Sequence, residues 1–178
     1  MTKKLQNFVN GKLVESATSR YQSVFNPALG AEASQVPMST GADVNAAVEA
    51  AKKALVGWAA TPSVRRARIM FELKHLIEKN LDELAHLVTA EHGKVLDDAR
   101  GSVTRGMEVV EFAAGIPQLL KGEYSEGVAR GVDSWSFRQP LGVCAGIGPF
   151  NFPAMIPMWM APVAIACGNT FIMKPSER

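Results

Sequence analysis

Alternating apolar and polar positions open the chain. In "NFVNGKLVES" two short alternating runs flank Asn10-Gly11, a pair that accepts positive φ at both turn positions, so the pattern predicts a β-hairpin. "VFNPALGAEASQVP" predicts a second hairpin, with Asn26-Pro27 and Gly30 in its turn. From Thr40 onward the period lengthens to that of a helix. Val44, Ala47, Val48, Ala51, Leu55 and Trp58 share one face, and Thr40 with Asp43 forms a capping-box pair. Pro62, following Thr61, opens a second helix with Ile69, Met70, Leu73, Leu76 and Ile77 on its apolar side. Asn80 with Glu83 predicts the start of a third, which carries Leu81, Leu84, Leu87 and Val88 as far as Gly93. A fourth is expected from about Val95 to about Leu120, broken or kinked near Pro117.

Helical period fails over residues 123–139. In "VDSWSFR", Val132, Ser134, Ser136 and Arg138 oppose Asp133, Trp135 and Phe137, which predicts one exposed or edge strand with large aromatics on a single face. An uncovered strand of that kind is adhesive, so its expected cover is another subunit or a distant segment. Beyond it the pattern reads strand 141–147, corner 148–153, helix about 154–167, Gly168 as a stop, strand 169–173, then "KPSER". The expected class is α/β. One crossover is too little parallel sheet to stand alone, so the chain reads as the front part of a longer protein.

Composition changes this picture little. The 47% hydrophobic and 20% charged residues are ordinary for a globular protein, and 19 basic against 17 acidic residues leave a net charge of +2. That balance supplies no electrostatic ground for nucleic acid or a membrane surface as partner. From Leu141 to Met173 there is no Asp, Glu, Lys or Arg, a run long enough to test as a membrane span. Pro149, Pro153, Pro157 and Pro162 interrupt it, so a buried strand, helix, strand unit explains the run with less strain. Cys144 and Cys167 sit in apolar runs and read as core thiols of a reducing compartment. The opening "MTKKLQNFVNGK" has neither a secretory apolar core nor transit-peptide character, so a cytoplasmic location is expected, and no metal site is assigned.

The chemistry concentrates at the corner of "GVCAGIGPFNFPAMIPMW". Asn151 there either caps the following helix or aims an amide donor at a developing negative charge. In doubly wound sheets, ligands bind beyond the carboxyl ends of the strands, the edge to which residues 148–153 and 174–178 both belong. Gly146 and Gly148 permit close backbone approach, but Pro149, Phe150 and Asn151 follow, and the full dinucleotide fingerprint is absent. A carboxylate after the second strand suits the ribose hydroxyls of NAD and repels the extra phosphate of NADP. Glu177 has that position with Lys174 beside it, although each reads equally well as a solvated charge.

These residues carry a family likeness. "PLGVCAGIGPFNFPAMIPMWMAPVAIACGNTFIMKPSER" resembles the cofactor-domain segment of NAD(P)-dependent aldehyde dehydrogenases, with Phe-Asn-Phe-Pro and Lys-Pro-Ser-Glu as its signatures. "NFVNGK", "NPALG", "DVNAAVEAAKKALVGW" and "EHGKVLDDA" match as well. "SVTRGMEVVEFA" and the corner itself resemble the CoA-acylating methylmalonate-semialdehyde branch. The resemblance implies an amino-terminal part of that fold. Residues 1–122 would form hairpins and helices of the cofactor domain, 123–139 an oligomerisation strand, and 140–178 the first β-α-β of the NAD-binding domain, with the catalytic domain absent.

It also implies roles. Asn151 would donate to the oxyanion of a thiohemiacetal, and Ile147, Gly148, Pro149 and Phe150 would line the cofactor groove. Lys174, Ser176 and Glu177 would bind the adenosine ribose side, Arg178 would lie near the adenine, and Phe152 would face the aldehyde tunnel. Arg105 could hold the carboxylate of a short semialdehyde by a bidentate pair, or be a surface arginine on a long helix. NAD and CoA are the expected cofactors, and a homodimer or homotetramer the expected assembly. A hydrolytic aldehyde dehydrogenase and a non-catalytic fragment that survives by docking on a partner are the alternatives. Neither Cys144 nor Cys167 suits the family's nucleophile, so the 178-residue chain alone is expected to reduce no NAD.

Overall fold

The computed structural model describes residues 3–176. Both expected hairpins form. After β1 (Lys3–Lys4), β2 (Asn7–Val9) and β3 (Lys12–Val14) pair antiparallel around Asn10 and Gly11, whose φ values of 51° and 74° make the mirror-image turn that matches strand twist. β4 (Tyr21–Asn26) and β5 (Ala31–Pro37) pair next, and β1 joins β5 in parallel to give the order β1-β5-β4. Asn26 closes the second turn: its Oδ1 accepts the N–H groups of Ala28 at 2.9 Å and Leu29 at 3.2 Å.

The capping pair is present at the start of α1 (Gly41–Ala59). Thr40 donates its N–H to Asp43 Oδ2 at 2.7 Å and its hydroxyl to the same oxygen at 2.9 Å. That carboxylate also accepts the Ser16 hydroxyl at 2.9 Å and so ties the segment after β3 to the helix. These donors, the Thr40 backbone first, pull the Asp43 pKa from 3.8 down to about 2. A depressed folded-state pKa means the contribution is whole above the ordinary carboxylate value and is lost as pH falls through about 2. Asp43→Asn is therefore expected to lower the melting temperature near neutral pH, with the gap to the parent closing as the pH approaches 2. A gap that stays constant across that range would remove the cap from this account.

α2 (Ser63–Lys79) follows Pro62, which stands at the N-cap, and it corrects the expected apolar face. Arg66, Ala67, Met70 and Ile77 are buried, while Ile69 and Leu76 are 49% and 46% exposed. The buried stripe begins with a charged residue, which a search for apolar periodicity does not count. α3 (Leu81–His92) starts without the expected Asn80 cap. Asn80 instead donates its amide to Leu76 O at 2.7 Å, because this one residue both ends α2 and begins α3. Gly93 ends α3 at φ 85°. α4 (Leu96–Ala114) breaks at Gly115, and α5 (Ile116–Leu119) carries Pro117 in its first turn.

α4 is the centre of the core. Its Ala99, Val103, Val110 and Ala113 are fully buried, against Ile77, Ala85 and Val88 at one end and Met70 and Ala166 at the other. Gly106 lies against Met158 of α6 (Met155–Ala166), so the lack of a side chain lets the two helices close on each other.

The segment expected to hold one edge strand is a hairpin. β6 (Tyr124–Ala129) pairs antiparallel with β7 (Val132–Trp135), and every residue in both strands is exposed. Asp133 explains why β6 escapes an alternation test. Its carboxylate accepts the Tyr124 hydroxyl and the N–H of Gly127, each at 2.9 Å, and holds an irregular, glycine-containing strand by side-chain bonds.

β8 (Val143–Ile147), α6 and β9 (Thr170–Lys174) form the expected crossover, with Val143 beside Thr170 and Ile147 beside Lys174 in parallel register. Of the last carbonyls of α6, Ala164 O and Ile165 O accept the Asn169 N–H at 3.1 Å and the Gly168 N–H at 2.9 Å, and side chains reach the same end of the helix. Asn169 Nδ2 donates to Ala164 O at 3.0 Å, Trp58 Nε1 to Ile165 O at 2.9 Å, and Arg66 Nε to Ala166 O at 2.9 Å. Among the described residues, no helix is long and apolar enough to cross a membrane.

Candidate functional site

The corner begins where β8 and β9 end side by side. The Gly148 N–H donates to Lys174 O at 2.9 Å, which ties the two strand ends together and makes their loops leave from one rim. Gly148 is buried, and a Cβ on it would come within 2.6 Å of Met173 Cε. At Gly146 the same atom would lie 2.7 Å from the Phe171 ring. Both glycines therefore make room for neighbouring side chains of β9, a role the sequence reading did not foresee. Ile147 is 76% exposed in register with Lys174, Pro149 is half-buried, and Phe150 is 50% exposed. An apolar strand end beside a lysine fits a flat base and its ribose, the adenosine half of a dinucleotide. Ser176 is half-buried; Glu177 and Arg178 lie outside the described residues.

Asn151 is exposed and does not cap α6, whose N-cap is Ala154 with no side-chain bond. The helix-cap alternative is thereby excluded. Phe152, next to it, is half-buried beneath two cations. The Arg105 guanidinium lies 5.5 Å from its ring centroid and the Lys94 ammonium 4.5 Å from it. Arg105 is exposed on α4, with Nε donating to Gly101 O at 3.3 Å and Nη2 reaching Ser102 Oγ at 3.5 Å. The backbone carbonyl of Arg105 accepts Trp159 Nε1 at 3.2 Å, a cross-link from α4 to α6 just behind the corner.

His92, Lys94, Ser102 and Trp159 were not among the site residues expected from sequence. Their sequence signal was only that they fall in stretches carrying the family likeness: His92 and Lys94 in "EHGKVLDDA", Ser102 in "SVTRGMEVVEFA" and Trp159 at the end of the corner stretch. Lys94 forms an ion pair with Asp98 at 2.8 Å, and this partner holds the Asp98 carboxyl below its ordinary pKa. Of the thiols, Cys144 is in β8 and Cys167 follows α6; burial pushes the Cys167 pKa up, away from the thiolate form.

A sequence model described as the aldehyde dehydrogenase family matches residues 13–178. The chain belongs to that family. Among its aldehyde dehydrogenase relatives, a malonate-semialdehyde dehydrogenase of Bacillus pumilus is 51% identical over 174 residues, which are 98% of this chain and 36% of that protein. The mitochondrial acylating methylmalonate-semialdehyde dehydrogenase of Arabidopsis thaliana is 52% identical over the whole chain, which covers 29% of it. A Sinorhizobium meliloti protein described as a methylmalonate-semialdehyde dehydrogenase and solved with NAD superimposes with a TM-score of 0.97 at 51% identity, over all of this chain and 36% of that one. The chain thus spans about a third of the length of these relatives, and its fold is the amino-terminal part of the aldehyde dehydrogenase fold.

Proposed function

We propose that this chain is the amino-terminal part of an NAD-dependent, CoA-acylating aldehyde dehydrogenase that converts malonate or methylmalonate semialdehyde to acetyl- or propionyl-CoA. The observation that carries the reading is the exposed amide of Asn151, relieved of any capping duty at the rim of a parallel strand pair, with Arg105 over the adjoining Phe152 ring. The names of the relatives at about half identity support the substrate class.

NAD, when bound, supplies the hydride acceptor. Asn151 donates its amide to the oxygen that becomes negative when a thiolate from outside this chain attacks the aldehyde. Ile147, Gly148, Pro149 and Phe150 wall the cofactor groove; Lys174, Ser176 and Glu177 hold the ribose side, and Arg178 borders the adenine. Phe152 walls the aldehyde passage, and Arg105 grips the substrate carboxylate through two parallel N–H donors. CoA takes the acyl group, the β6–β7 hairpin contributes to a homodimer or homotetramer, and the enzyme works in the cytoplasm.

The experiment uses a joined enzyme, in which this chain is followed by the carboxyl-terminal remainder of the Bacillus pumilus malonate-semialdehyde dehydrogenase. Supplied with NAD, CoA and malonate semialdehyde, it should yield a thioester; a free acid as sole product would favour the hydrolytic alternative. In the same enzyme Arg105→Leu is expected to raise the KM for the carboxylated semialdehyde by at least about tenfold, the worth of a lost charge-assisted hydrogen bond. Propanal, which has no carboxylate, should be oxidised as before. Equal losses on both substrates would return Arg105 to a surface role.

A further inference from the structure

We propose that His92 and Lys94 are positioning residues for Asn151: the turn between α3 and α4 clamps the aromatic ring on each side of it. The inference rests on the reading of Asn151 as an oxyanion donor. Phe150 and Phe152 are two residues apart in a non-helical corner and flank the exposed asparagine. The His92 ring lies nearly parallel to that of Phe150, 10° between planes and 6.3 Å between centroids. Lys94, two residues further on, holds its ammonium 4.5 Å from the Phe152 centroid. One two-residue step in the turn thus matches one two-residue step in the corner.

The turn is built to stay where it is. The Lys94 side chain is only 8% exposed, and its ammonium is fixed by Asp98 at 2.8 Å and Ser102 Oγ at 3.3 Å, both on α4. Gly93, between the two clamping residues, has φ 85°, and a Cβ there would stand 3.0 Å from Pro27 Cγ, so the β4–β5 turn backs it from behind. Among the described residues His92 Nδ1, which is buried, has no hydrogen-bond partner. The corner needs such support, since α6 begins at Ala154 with no side-chain cap. An amide donor has to be held to a fraction of an ångström to act at full strength, and a misplacement of about 1 Å can cost about a hundredfold in rate.

The test measures NADH formed in a single turnover of the joined enzyme. Lys94→Met and His92→Ala should each slow it on the order of tenfold, a partial misplacement, and steady-state kinetics should show the KM for NAD unchanged in Lys94→Met, since the ring that Lys94 clamps, Phe152, is not in the cofactor groove. Lys94→Arg and His92→Phe, which keep a cation and a flat ring, should retain most of the rate and show whether a loss comes from misfolding. In an Asn151→Ala background, Lys94→Met and His92→Ala should slow the reaction little further, since the group they position is gone. The same loss in both backgrounds, or no loss from either single change, would overturn the clamp while leaving Asn151 as donor. An unchanged rate in Asn151→Ala alone would instead overturn the donor reading itself.

Discussion

In the joined enzyme, Asn151→Ala is expected to lower kcat by about 100- to 1000-fold, the loss that follows removal of one oxyanion donor, about 3 to 4 kcal/mol of transition-state stabilisation. The side chain is exposed and caps no helix, so the substitution should leave the melting temperature within about 1 °C, as surface changes do. It should also leave the KM for NAD nearly unchanged, because the interaction exists only once negative charge develops on the aldehyde oxygen. Steady-state kinetics with saturating NAD, together with thermal melting, checks both halves. A kcat within a few-fold of the parent would mean that the amide faces solvent for no catalytic reason. A large fall in melting temperature would mean that it supports the corner instead.

Gly168→Ala is expected to lower stability strongly. Gly168 turns the chain from α6 into β9 at φ 96°, a conformation that costs a residue with a Cβ about 1 to 2 kcal/mol. The new methyl would stand 2.8 Å from Pro140 Cγ and 3.2 Å from Arg66 Cζ, so overpacking adds about 1 to 3 kcal/mol. Pushing Arg66 aside also endangers its bonds to Ala166 O and Thr61 O, which satisfy backbone carbonyls at the end of α6 and before α2. The sum predicts a fall of roughly 10 °C in melting temperature, at about 2 to 4 °C per kcal/mol for a chain of this size. Thermal unfolding of the chain followed by circular dichroism measures it. A fall of only a degree or two would show that the Pro140 and Arg66 side chains give way freely.

Much of the fold was legible because its signals are local. Asn10-Gly11 selects a turn through its own φ preferences, Thr40 and Asp43 are three residues apart, and Gly93 and Gly168 end helices where the chain adopts positive φ. The errors have equally definite causes. Ile69 and Leu76 satisfy helical period yet are exposed, because the stripe that is buried runs through Arg66, Ala67, Met70 and Ile77, with Arg66 bonded to the end of α6. Asn80 resembles a cap in sequence but donates backwards to Leu76 O, and β6 was missed because a glycine and side-chain bonds to Asp133 replace regular alternation.

At the site, the sequence by itself determined the corner and its residue types: Asn151 between two phenylalanines, after one strand and before one helix, with Lys174 at the end of the next strand. Family likeness added expected roles, since Phe-Asn-Phe-Pro and Lys-Pro-Ser-Glu are distinctive strings. Only the tertiary structure decided that Asn151 is relieved of helix capping, that Gly146 and Gly148 make room for β9 side chains, and that His92, Lys94 and Arg105 meet the two aromatic rings. Turn and cap preferences act through bonds within a few residues and are written in order along the chain. Ring stacks and cation contacts join segments brought together by the packing of α3, α4 and α6, and that proximity exists only once the core has closed.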